Sequence, residues 1–96
     1  MSDMVVRDYV EMEKCAQKID EYSADMRRVC AGLKNAVSLS APLMKDEDAR
    51  RVLTGIETLA TELIRDLPRA EYAAEALRRS AKPLREAVET IRQLRR

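Results

Sequence analysis

The sequence predicts an all-α protein: an antiparallel helical hairpin with a kinked second helix, completing a four-helix bundle on dimerisation. A three-helix bundle is the alternative. Three observations carry this. The 96 residues include only two glycines and 3% aromatics, and the helix-favouring Ala, Leu, Glu and Arg abound. Apolar or small residues recur with alternating four- and three-residue spacing through both halves of the chain. Between the halves, SLSAPLMKDEDARR (38–51) is the one stretch that breaks this habit.

Helix 1 is expected from about residue 4 to 38. Its stripe is Val5, Tyr9, Met12, Ala16, Ile19, Ser23, Met26, Cys30, Leu33 and Val37, a spacing that keeps every member on one helical face. A second row, Cys15, Tyr22, Val29 and Ala36, widens that face on one side. Ser2 or Asp3 can cap the start, because a short polar side chain accepts from an otherwise unpaired backbone N–H there.

A turn is expected over 39–45, where Pro42 opposes continuation of the helix. Asp46 is the expected N-cap of helix 2, and Glu47 and Asp48 suit the positive end of its dipole. That role accounts for the acidic cluster without a bound cation. Leu43 and Met44 have two readings. The plainer folds them back as a hydrophobic staple on helix 2; the other leaves them as a contact for a partner.

Helix 2 is expected over about 46–82, with the stripe Ala49, Leu53, Ile56, Ala60, Leu63, Leu67, Ala70, Ala74, Leu77 and Ala81 continuing to Leu84, Val88 and Ile91. Pro68 and Pro83 interrupt it, and each removes a hydrogen bond and presses on the preceding turn. The stripe keeps its phase across both, which a corner would have no reason to preserve. Pro68 therefore reads as a kink on the outer face; the three-helix alternative makes it the first residue of a new helix. Pro83 is expected to open a distinct terminal segment, 84–95.

A chain this short buries a modest core, and a hairpin leaves the rows flanking its seam exposed. Cys15, Tyr22 and Val29 on helix 1, Val52, Leu59 and Tyr72 on helix 2, and Leu43 and Met44 in the turn are candidate interface residues for a helical partner or a second copy. Cys15 and Cys30 lie on one helix, roughly 22 Å apart at about 1.5 Å rise per residue, too far to bridge. They read as two buried free thiols, with an intermolecular bridge as the alternative.

Basic and acidic side chains number 18 and 17, a balance that gives no general push toward nucleic acid. Residues 76–96 are locally basic, and Arg78, Lys82 and Arg85 share a face as a candidate basic contact. The plainer account is complementarity to the helix C-terminus. Histidine is absent, no glycine-rich phosphate loop exists, and the two cysteines have no further ligands at zinc spacing. No catalytic, cofactor-binding or metal-ligating residue is assigned, and no enzyme is expected. No apolar run approaches the roughly 18 residues of a membrane span, and no signal-peptide pattern opens the chain. A chain that is cytoplasmic as synthesised is expected, with secretion by a route lacking a cleaved signal left open.

Two amphipathic helices of similar length around a short central turn resemble the small helical-hairpin proteins of the type VII secretion system, the Trp-x-Gly family and its relatives. The resemblance covers residues 4 to about 82 and is one of layout. Met44-Lys45-Asp46 stands where that family carries its turn motif, followed by Ala49 and Val52 at its small and apolar positions. Tryptophan is absent, Gly55 lies inside helix 2, and the one Tyr-x-x-x-Glu match, Tyr9 to Glu13, falls in helix 1 rather than after helix 2. The resemblance thus implies a variant that travels with a partner bearing the export signal, or an effector-targeting subunit. The expected function is a non-enzymatic helical interaction protein. The alternative is a small cytoplasmic or phage-encoded regulator that binds nucleic acid, or a nucleic-acid enzyme, through the basic C-terminal segment.

Overall fold

A computed structural model describes the backbone of residues 2–95 and the side chains of residues 7–95. The expected caps Ser2 and Asp3 and the stripe position Val5 have side chains outside the described residues. Helix α1 runs Ser2–Ser40 and helix α2 runs Glu47–Leu94, joined through a single 3-10 turn at Ala41–Leu43. Among the described residues there is no strand. The protein is all-α, with two helices in a hairpin.

The turn is tied at each end by its own polar groups. The Met44 N–H donates to the Ala41 carbonyl at 3.2 Å, closing the 3-10 turn, and Pro42 occupies its first turn, where a missing donor costs nothing. Met44 is extended, with φ −84° and ψ 123°. Asp46 caps α2: its Oδ1 accepts from the Asp48 N–H at 3.0 Å, while its carbonyl accepts from the Arg50 N–H at 3.1 Å. The Arg50 side chain reaches back over the turn, its Nε donating to the Met44 carbonyl at 2.8 Å.

Burial selects one row from each stripe. On α1 the buried positions are Tyr9, Ala16, Ser23, Cys30 and Val37; on α2 they are Ala60, Leu67, Ala74, Ala81 and Val88. Each series repeats every seven residues, the period that keeps one seam facing a partner helix when two helices coil around each other with a left-handed twist. Small side chains dominate these rows, so the helix backbones can approach closely. The interleaved larger residues, Met12, Ile19 and Met26 among them, are half-buried.

Two expectations are corrected here. α2 continues through both prolines, so Pro68 begins no third helix and Pro83 opens no separate segment at 84–95. Both prolines sit at exposed positions, where solvent can satisfy the carbonyls they leave unpaired. The buried residues on either side, Leu67 and Ala74, then Ala81 and Val88, stay in the same row. Tertiary packing in one register offsets the local proline cost. Cys15 is the second correction: it is exposed and only Cys30 is buried. Cys30 belongs to the innermost row, whereas Cys15 lies one residue before that row and turns outward. A thiol reagent should therefore modify one cysteine, Cys15, in the native protein and both after denaturation; rapid native labelling of both would contradict this burial.

The chain packs as two compact units, one formed by Met1–Glu21 with Arg69–Arg96 and the other by Tyr22–Pro68. In the first, Tyr9 clusters with Ala81 and Val88, with Val10, Met12 and Leu84 packed against them. Ion pairs cross between its helices, Arg78 with Asp20 and Arg85 with Glu13, the latter at 3.2 Å. As the residue number rises on α1 it falls on α2, so the helices are antiparallel. These side chains are about two-fifths exposed, and pairs so placed contribute roughly 0.2–1 kcal/mol each.

Both glycines are helical, exposed and in the second unit, and a Cβ at Gly32 or Gly55 would meet nothing within 4 Å. Mid-helix glycine costs about 1 kcal/mol relative to alanine. Gly32→Ala and Gly55→Ala should each stabilise the protein by up to that amount, raising the thermal midpoint by several degrees. A fall in midpoint would show that the open space is needed.

Candidate docking surface

The two flanks of the helix pair differ in chemistry, and the seven-residue repeat shows why. A position four residues after a buried one emerges on one side of the seam, and a position one residue before it emerges on the other. In an antiparallel pair, equivalent positions of the two helices share a side. The first side carries Glu13 and Asp20 on α1 and Arg78 and Arg85 on α2, and these are the residues that pair. In the Tyr22–Pro68 unit the second carries Tyr22, Val29 and Ala36 on α1, with Val52, Leu59 and Asp66 on α2; Cys15 holds the equivalent position on α1 in the other unit. In the first unit the first side is bridged by ion pairs, and in the Tyr22–Pro68 unit the second side is mostly apolar.

Every residue of that second row is exposed. Tyr22 retains 58% of its surface, Val29 55%, Val52 62% and Leu59 57%. Among the described residues eleven large hydrophobics are exposed, and all but Tyr72, Ile91 and Leu94 lie within the Tyr22–Pro68 unit. Leu33 and Leu63 are among them, although their stripe positions marked them as core. What separates them is the row: each stands three residues after a buried position, Cys30 or Ala60, in the interleaved row. The buried row, made mostly of small residues, takes the closest approach, and the interleaved row lies nearer the flank. Leu39, at the end of α1, is exposed as well.

The turn residues correct a further expectation. Leu43 is 80% exposed and does not fold back as a staple; Met44 is half-buried. The extended backbone at Met44 and the Arg50 bond to its carbonyl set this arrangement, with Leu43 carried outward at the end of the 3-10 turn. Leu43 thereby adds to the exposed apolar residues of the hairpin unit.

Cys15 and Tyr72 belong to the other unit. The Tyr72 ring lies beneath the Arg79 guanidinium, 5.5 Å from the ring centroid, so its face is occupied by a cation within the same helix. Of the candidate basic contacts, Arg78 and Arg85 are committed to Asp20 and Glu13, while Lys82 is exposed. A phosphate would have to compete with a carboxylate for each arginine.

Among the described residues no group of three or more His, Cys, Asp or Glu is placed to hold a metal ion. No described helix is long and apolar enough to cross a membrane. A polar depression bordered by Val10, Glu13, Lys14, Gln17 and Arg78 lies in the first unit, and two of its three charged residues, Glu13 and Arg78, are engaged with Arg85 and Asp20. A second depression, over Thr54, Thr58 and Thr61, follows the surface of α2 alone. No protein-family model, curated protein or solved structure matches the chain.

Proposed function

We propose that the chain is a non-enzymatic helical interaction protein that works by packing the apolar flank of its hairpin unit against a helical protein partner. The observation that carries this reading is the concentration of exposed large apolar side chains on one side of the Tyr22–Pro68 unit. Surfaces of this kind mark protein-binding sites more often than isolated exposed hydrophobics do. Tyr22 stands in that exposed row, and tyrosine is enriched in binding hot spots. The layout, two long helices around a short turn, supports type VII secretion as the setting, with this chain as substrate, co-secreted partner or effector-targeting subunit. The missing tryptophan and the buried Tyr9 of the Tyr-x-x-x-Glu match fit a member that relies on a partner for export.

The test uses Val29→Glu combined with Leu59→Glu, with Arg28→Glu as a surface control. All three positions are exposed, so far-UV circular dichroism should stay unchanged. Tagged protein expressed in its native host should retain a protein, of its own kind or another, with the wild-type and control sequences. The double variant should lose it. Equal recovery with all three would remove the docking role from this flank.

A further inference from the structure

We infer that the occupant of the apolar flank is an amphipathic helix of another protein, one whose apolar stripe is bordered by lysine and arginine. This rests on the docking reading above and adds the chemistry of the partner. The first argument is the charge along the edge of the flank. Residues three or four apart are neighbours on a helix surface, so Asp25 borders Tyr22 on the outer edge of the exposed row of α1, and Glu62 borders Leu59 on that of α2. Asp48 stands four residues before Val52, and Asp66 continues the row of Leu59 itself. All four carboxylates are exposed. Among the described residues of the Tyr22–Pro68 unit, the helical positions of this row and its outer edge hold no lysine or arginine. The basic residues of the unit lie elsewhere. Arg27 and Lys34 emerge on the other side of the seam, four residues after Ser23 and Cys30. Arg28, Arg51 and Arg65 each stand three residues beyond an acidic edge residue, a further step round the helix from the flank. Arg28 pairs with Asp25 at 3.2 Å and Arg51 with Glu47 at 3.8 Å, exposed pairs within one helix that the cation of a partner can exchange. Lys45 lies in the turn, and Arg50 is engaged by the Met44 carbonyl.

The second argument is the repeat. Tyr22, Val29 and Ala36 recur every seven residues, as do Val52 and Leu59, which spaces the apolar contacts on each helix about 10.5 Å apart. A partner helix presents an apolar seam with the same repeat, whereas a strand places side chains on one face about every 6.7 Å and falls out of step. Gly32 and Gly55 stand in the edge rows, three residues after Val29 and Val52, and a Cβ at either would meet nothing within 4 Å. That space admits the apolar stems of long basic side chains on their way to the carboxylates. A second copy docked through the same flank would set acid against acid, so the edge selects against the chain itself and for a partner of opposite sign.

Fluorescence anisotropy on the purified full chain tests this with a pair of labelled, designed helical peptides of about three heptads. Both carry the same leucine and isoleucine stripe; one borders it with lysine and the other with glutamate. The lysine peptide should bind about tenfold more tightly than the glutamate peptide at low ionic strength, and the gap should shrink as salt screens the edge. Glu62→Lys with Asp66→Lys should remove that preference, whereas Glu57→Lys, on the other side of the seam, should keep it. Equal binding of both peptides, lost in Val29→Glu with Leu59→Glu, overturns the basic partner and leaves the docking reading standing. If neither peptide binds at hundreds of micromolar, or if that apolar-row variant binds as the wild type does, both readings fall. A wild-type dimer in sedimentation equilibrium that the same variant disperses overturns the basic partner in favour of a second copy.

Discussion

Leu67→Ala should lower the free energy of unfolding by about 2–5 kcal/mol, the range for truncating a buried leucine. Leu67 retains 6% of its surface. The buried row of its unit is otherwise Ser23, Cys30, Val37 and Ala60, so Leu67 is its largest aliphatic side chain. A second effect adds to the cavity. The residue before a proline is driven away from helical backbone angles, yet Leu67 is helical immediately before Pro68. Packing of its side chain is the force that holds it there. The variant should therefore lose some helicity as well as stability. Urea denaturation at one fixed protein concentration, followed by circular dichroism, measures both. A midpoint within error of wild type would show that this side chain contributes little to the unit.

Ala81→Leu tests the same row from the opposite direction and should cost about 1–3 kcal/mol through overpacking. Ala81 is 1% exposed and sits against Tyr9 and Val88. Leucine and alanine differ little in helix propensity, so any large loss must come from the seam. The added carbon would force the helices apart or push Tyr9 off its position. Separation would also lengthen the nearby Arg85–Glu13 and Arg78–Asp20 pairs, which span the same helices. Ala76→Leu, at a half-buried position outside the buried row, is the control and should be close to neutral. Equal stability of Ala81→Leu and Ala76→Leu would refute close approach at the seam.

Much of the fold was legible in residue spacing. The four-three alternation marked both helices, and Asp46 was readable as a cap because a short acceptor side chain stood directly before a charged first turn. The exposed row Cys15, Tyr22, Val29 and Ala36 could be placed beside the stripe from helical geometry alone. Pro68 was harder, since a kink, a corner and a tolerated interior proline look alike locally. Pro83 was read as a boundary because its local cost is large, while the packing that offsets it lies on the other helix.

The candidate surface divides in the same way. Tyr22, Val29, Val52 and Leu59 were accessible to a sequence argument, because their row is defined relative to the stripe on their own helix. Leu33 and Leu63 were not. Their membership in the stripe says only that they face the other helix broadly. Whether they reach the seam or its flank depends on how close the helices come, and that distance is set by alanines on both helices and by Ser23 and Cys30 on α1. Leu43 shows the limit for turns: its exposure follows from the extended Met44 backbone and the Arg50 bond, a combination of interactions that no period encodes.

By itself the sequence determined that this chain is helical, where its helices divide, and which side of each is apolar. Those properties arise from intrinsic propensity, capping and a repeat matched to the helical turn, all of which act within a few residues. Only the tertiary structure decided that α2 survives two prolines, that small residues dominate the innermost row, and that Leu43 turns outward. Each of these depends on the second helix. A proline's local penalty can be outweighed only by packing across the seam, and a side chain is buried only when another surface arrives to cover it.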